Sequence, residues 1–147
     1  MHHGAVVGGG ATARSALAAL AALGDRQPVL VVRSRPDDTL AAAARLGVEP
    51  VVVPLTATAL AGRDVVVSTV PASASREVAE ALADGLADVD LLLDAVYDPW
   101  PTPLARACRG VVVAGDRMLL HQAAAQVELM TGRSAPLAAM ASALAGR

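Results

Sequence analysis

The chain has 147 residues, a hydrophobic share of 54% and a formal net charge of −2. That length suits one domain with a real core, and the near-neutral balance offers no basic field for nucleic acid or an anionic membrane. All 12 residues of the Lys and Arg total are Arg, so chemistry that needs a lysine cannot be complete within this polypeptide.

The first element is an apolar strand over 4–8, which runs into Gly8-Gly9-Gly10-Ala11-Thr12-Ala13-Arg14. A helix over 11–23 follows at once, with Leu17, Leu20 and Leu23 near one stripe and Gly24 closing it. Strand, glycine turn and helix together form the context in which G-x-G-x-x-A acts as a dinucleotide fingerprint. Gly8 permits the tight turn, Gly10 lets backbone approach a pyrophosphate, and Ala13 is small enough for close helix–strand packing. The N–H groups opening the helix, at Ala11 and Thr12, face the phosphates.

Val29-Leu30-Val31-Val32 is a second buried strand, and Asp37 is a plausible N-cap for a helix running to Leu46-Gly47. Val51-Val52-Val53 gives a third strand, ended by Pro54. Residues 64–68 give a fourth, followed by a helix to about 87; residues 91–96 give a fifth and 111–113 a sixth. Helical stretches over 116–131 and 134–145 close the chain. The strand runs are continuous rather than alternating, the pattern of strands buried on both faces. Phe is absent, and Tyr97 and Trp100 are the only aromatic residues. Aliphatic strands against alanine-rich helices therefore supply the core. The expected fold is α/β: a doubly wound, Rossmann-like parallel sheet of about six strands with helices on both faces, one domain over 1–147.

In such a sheet the tip of the second strand chooses the cofactor, an acid for the NAD ribose and an Arg for the NADP 2′-phosphate. Here it carries Arg33-Ser34-Arg35 and no carboxylate. Arg33 and Arg35 suit a phosphate dianion through charge-assisted, often bidentate bonds. The other reading is a solvated turn in which they pair with Asp37 or Asp38. The glycine turn ahead of them favours NADP. Ser68-Thr69-Val70-Pro71 would pass near the nicotinamide ribose, although Ser68 also reads as an ordinary polar strand end. Tyr97 lies in a proline-stiffened loop where the pocket is expected, and by position alone it reads first as a buried structural ring. Met118 and Gln122, four apart, share one face of the last long helix. No metal-ligand spacing surrounds His121. The lone Cys108 excludes an intramolecular disulfide and fits a reducing compartment, with cytoplasmic the expected location. No apolar run reaches membrane-spanning length, and no signal peptide is legible.

Four segments, taken together, resemble the C-terminal, NADP-binding half of the shikimate dehydrogenase family: Gly8 to Arg14; Val32-Arg33-Ser34; Tyr97-Asp98-Pro99-Trp100-Pro101-Thr102-Pro103-Leu104; and Gly115-x-x-Met118-Leu119-x-x-Gln122-Ala123-Ala124, closing in Thr131-Gly132. The resemblance implies that Arg33 holds the 2′-phosphate and lies against the adenine. Ser68, Thr69 and Val70 would run beside the cofactor. Gly115 and Met118 would lie near the nicotinamide, and Tyr97 and Gln122 would reach the substrate. It further implies reversible hydride transfer between NADPH and the C3 carbonyl of 3-dehydroshikimate, a step of chorismate and aromatic amino acid biosynthesis. The family's catalytic Lys and Asp belong to an N-terminal substrate domain that this chain does not match, so no catalytic residue is assigned here. Weak NADP(H) binding and little turnover follow for the chain alone, with shikimate bound only when that other domain is present. A stand-alone nucleotide-binding module and half of a quinate-type dehydrogenase are the alternatives. Exposed apolar surface around the last helix implies self-association, as a homodimer or otherwise.

Overall fold

A strand that is apolar on both faces is stable only between two helical layers. The computed structural model describes residues 3–146 and places six such strands in one sheet. They are β1 (Gly4–Val7), β2 (Val29–Val32), β3 (Val51–Pro54), β4 (Val65–Ser68), β5 (Leu91–Asp94) and β6 (Val111–Ala114), in the order β3-β2-β1-β4-β5-β6. Every pairing is parallel. The chain winds outward from β1 to β3, then returns to the other side of β1 with β4. That reversal is the doubly wound, Rossmann-like arrangement expected from the sequence. Residues 1, 2 and 147 of the expected 1–147 span lie outside the described residues.

Alternate side chains of each strand point to opposite layers. Val6 and Leu30 pack with Leu17 and Leu20 of α1 (Ala11–Ala22) and with Ala43 of α2 (Asp37–Arg45). Val7, Val66 and Leu92 pack the other way, with Leu82 and Leu86 of α3 (Ser75–Ala87) and Leu104 of α4 (Pro103–Ala107). Each fully buried leucine contributes about 1.5–3 kcal/mol. The last two helices, α5 (Gly115–Thr131) and α6 (Leu137–Ala145), pack on each other.

Three local expectations are revised. Pro36, not Asp37, is the N-cap of α2, and its carbonyl accepts from Thr39 N–H and Leu40 N–H, each at 3.0 Å. Asp37 instead begins the helix and turns its carboxylate to Arg35. The loop after β5, whose prolines predict only stiff chain, contains a helix, α4. Thr102 caps it, accepting from Ala105 N–H at 3.0 Å, and Pro103 fills a first-turn position whose missing N–H costs nothing. The final helix begins at Leu137, because Pro136 precedes it at the N-cap.

Candidate functional site

Ligands of a doubly wound sheet bind beyond the carboxyl ends of the strands, where the strand order reverses. Here that point lies between β1 and β4. The Val7 carbonyl accepts from Thr69 N–H at 2.8 Å and from Thr69 Oγ1 at 2.9 Å, which ties the two strand ends together. Gly8 has φ of +109°, and a Cβ there would run into the Thr69 hydroxyl. Both facts require glycine. The turn is further held by Gly8 N–H to the Val31 carbonyl at 2.9 Å and by Thr39 Oγ1 to the Gly9 carbonyl at 2.7 Å. Thr39 is buried in α2, and no sequence motif marked it.

Gly10 is different. A Cβ there would meet nothing within 4 Å, so the fold itself leaves the space before it open. Gly10 is also the N-cap of α1 and supplies no side-chain cap. The start of α1, with Ala11 and Thr12, thus faces that open space at the positive end of the helix dipole, an arrangement chemically suited to an anion. These features fit a dinucleotide pyrophosphate.

Hollows open on either side of the turn. The first, about 400 Å³, lies between Gly8, Gly9, Arg33 and Ser34 on one wall and Val70 and Pro71 on the other. The second, about 590 Å³, is lined by Ala11, Thr12 and Ser15 of α1 and by Met118 and Gln122 of α5, over a floor of Val67 and Leu93. Arg14 and Arg35 share a third with Gly9 and Thr39. The structure therefore gathers most of the sequence-derived residues around the glycine turn.

Several sit otherwise than expected. Ser68 has no accessible surface, so it lies within the sheet and does not line a hollow. Gly115 is buried too. Its N–H donates to the Val96 carbonyl at 3.2 Å, and a Cβ would overlap the Ala95 carbonyl, so close backbone approach already requires glycine there. Tyr97 is 47% exposed and lines neither of the two larger hollows. Arg35 Nε stands 3.0 Å from Asp37 Oδ1, the solvated pairing named above as the other reading. Arg33 makes a different contact, with Glu77 of α3 at 3.1 Å.

Asp94, at the end of β5, went unassigned in the sequence. It is fully buried, accepting from Thr102 Oγ1 at 2.6 Å and from Val96 N–H at 3.3 Å. Thr102 in turn caps α4, and buried Ser75 Oγ accepts from Leu104 N–H at 3.4 Å. Both ends of the loop carrying Tyr97 are thereby fastened to the sheet and to α3. Burial pushes the Asp94 carboxyl above the ordinary value of 3.8, against the opposing hydrogen bonds from Thr102 Oγ1 and Val96 N–H. Among the described residues, no three His, Cys, Asp or Glu side chains form a metal-ligand group.

Residues 4–97, which hold the turn and the first five strands, match a family model described as NADP oxidoreductase, coenzyme F420-dependent. Residues 117–145, which include Met118 and Gln122, match the shikimate 5′-dehydrogenase C-terminal domain. The chain belongs with the C-terminal, NADP-binding part of the shikimate dehydrogenase family. Thermosynechococcus vestitus has a shikimate dehydrogenase (NADP(+)) that is 35% identical over 150 aligned positions, covering 95% of this chain and 52% of that protein. The Halobacterium salinarum shikimate dehydrogenase (NADP(+)) is 46% identical over 68 residues, 44% of this chain and 26% of that one. Among solved structures, the Mycobacterium tuberculosis shikimate dehydrogenase superposes with a TM-score of 0.86 at 41% identity, over 100% of this chain and 58% of that chain. The Mycobacterium fortuitum shikimate 5-dehydrogenase gives 0.83 at 41% identity, over 97% and 55%. The chain thus spans about half the length of the longest-matched shikimate dehydrogenases.

Proposed function

We propose that this chain is the NADP(H)-binding half of a shikimate dehydrogenase. The observation that carries the reading is the glycine turn at the strand-order reversal, with an uncapped α1 behind it and Arg33 on the wall of the adjoining hollow. The N–H groups of Ala11 and Thr12 receive the pyrophosphate. Arg33, with Ser34 beside it, takes the 2′-phosphate, and Val70 and Pro71 supply an apolar wall for the adenosine. Arg14 adds positive charge above the turn. On the other side, Met118 bounds the nicotinamide end and excludes water from it, while Gln122 offers an amide to the hydroxyls of a shikimate-like substrate. Tyr97 joins Gln122 when its loop faces the substrate domain. NADPH, when bound, supplies the hydride for a carbonyl such as that of 3-dehydroshikimate.

The proton at the reacting oxygen needs an acid that these residues do not supply. No Lys exists in the sequence, so the chain by itself binds cofactor and turns over little. Family likeness supports an oxidoreductase role over a purely structural one.

Titration of the purified chain with NADPH and NADH tests the assignment. NADPH should bind more tightly, and Arg33→Ala should weaken it about ten- to a hundredfold, the scale of one charge-assisted contact. Equal affinity for the two nucleotides, or an Arg33→Ala variant that still prefers NADPH as the parent does, would sink it.

A further inference from the structure

The first hollow is bounded on one side by the tip of β2 and on the other by the start of α3, and an ion pair spans the two. Arg33 Nη2 stands 3.1 Å from Glu77 Oε2, with the side chains 57% and 64% exposed. Glu77 lies in the first turn of α3, where the positive end of the helix favours a carboxylate. Ala74 and Val78, one turn apart on the same helix start, line the hollow itself. The neighbouring Arg35 is engaged by Asp37. Both guanidinium groups at the tip of β2 therefore already hold a carboxylate.

We propose that Glu77 is an affinity-limiting latch, holding Arg33 beside the adenosine hollow until a 2′-phosphate displaces it. This rests on the NADP(H) reading above. The exchange follows from relative strengths. An exposed ion pair contributes little and is screened by salt, whereas a phosphate dianion offers Arg a bidentate, charge-assisted contact. A nucleotide with a free 2′-hydroxyl brings no such charge and leaves the pair closed. When Arg33 turns to the phosphate, Glu77 is left without its partner beside an added anion, and like charges repel. Glu77 thus weakens every 2′-phosphorylated ligand while scarcely touching the others. The residue caps affinity for NADP(H) and eases its release, and the preference for the phosphate is carried by Arg33 alone.

Glu77→Gln removes the charge and keeps the size. Calorimetric titration of the full chain and this variant with NADPH, 2′,5′-ADP and NADH reads the effect directly. The variant should bind NADPH and 2′,5′-ADP about two- to fivefold more tightly, the scale of an exposed pair, with NADH unchanged. The gain should shrink as salt is raised. Unchanged NADPH binding would overturn the latch, because the pair would then not compete with the phosphate. Weaker NADPH binding would overturn it as well, since Glu77 would then be aiming Arg33. An equal gain for NADH would show a general charge effect and not a latch. Failure of the cofactor reading looks different: the parent chain itself would fail to prefer NADPH, and Arg33→Ala would alter neither nucleotide.

Discussion

Gly8 and Gly10 stand two residues apart and are glycine for different reasons. At Gly8 the reason is internal: the backbone is left-handed and the Thr69 hydroxyl occupies the place of a side chain. At Gly10 the fold supplies no reason, since a Cβ would enter open space. The two substitutions should therefore separate folding from binding. Gly8→Ala should cost about 1–3 kcal/mol in urea unfolding. Gly10→Ala should stay within about 1 kcal/mol of the parent, the scale of an N-cap change, yet weaken NADPH binding by obstructing the pyrophosphate. A Gly10→Ala variant that binds NADPH as the parent does would remove the turn from the site. The glycine pattern was legible in the sequence because turn chemistry is local. The Glu77 contact was not, because Glu77 lies 44 positions after Arg33 and only the tertiary fold brings the start of α3 to the tip of β2.

The elements flanking β5 depend on one buried acid. Asp94 fastens the start of the loop through Val96 and its end through Thr102, the residue that caps α4. Its carboxyl is raised above 3.8 by burial, so the folded state holds the proton more tightly than the unfolded chain. Stability from this site is greatest when the group is protonated and falls as pH rises from the ordinary carboxylate value through the raised one. Asp94→Asn removes that component. The unfolding free energy of the variant minus that of the parent should therefore grow in the variant's favour as pH rises above the ordinary carboxylate value of about 4. A difference that stays flat over that range would show that Asp94 does not titrate differently on folding. Strand and helix positions were readable because buried parallel strands are continuous apolar runs. The helix α4 was hidden by its five-residue length and by prolines that read as loop, although Thr102-Pro103 carries a cap signature.

At the scale of the molecule, two apolar layers enclose the sheet, while the last two helices contribute no residue to either buried cluster. Leu129 and Met130 are 87% and 85% exposed, and no residue of the apolar helix α6 is buried. A helix that is apolar all round is stable only against another surface. The isolated chain should therefore self-associate, with a sedimentation coefficient that rises with concentration. Leu129→Gln combined with Met130→Gln should suppress that rise. A monomer boundary at every concentration would count against it. No helix among the described residues is long and apolar enough to cross a membrane.

By itself the sequence determined the layered α/β fold, the glycine turn and the arginine at the tip of β2, because period, turn chemistry and side-chain charge are properties of short stretches. The resemblance of its four segments then led to the family that the comparisons support. Only the tertiary structure decided which of those residues share a hollow. It placed Met118 and Gln122 opposite Ala11 and Thr12, turned Ser68 into the sheet, kept Tyr97 outside the two larger hollows and set Glu77 against Arg33. Such neighbourhoods arise where strands that are distant in sequence pair side by side, and no local pattern records them.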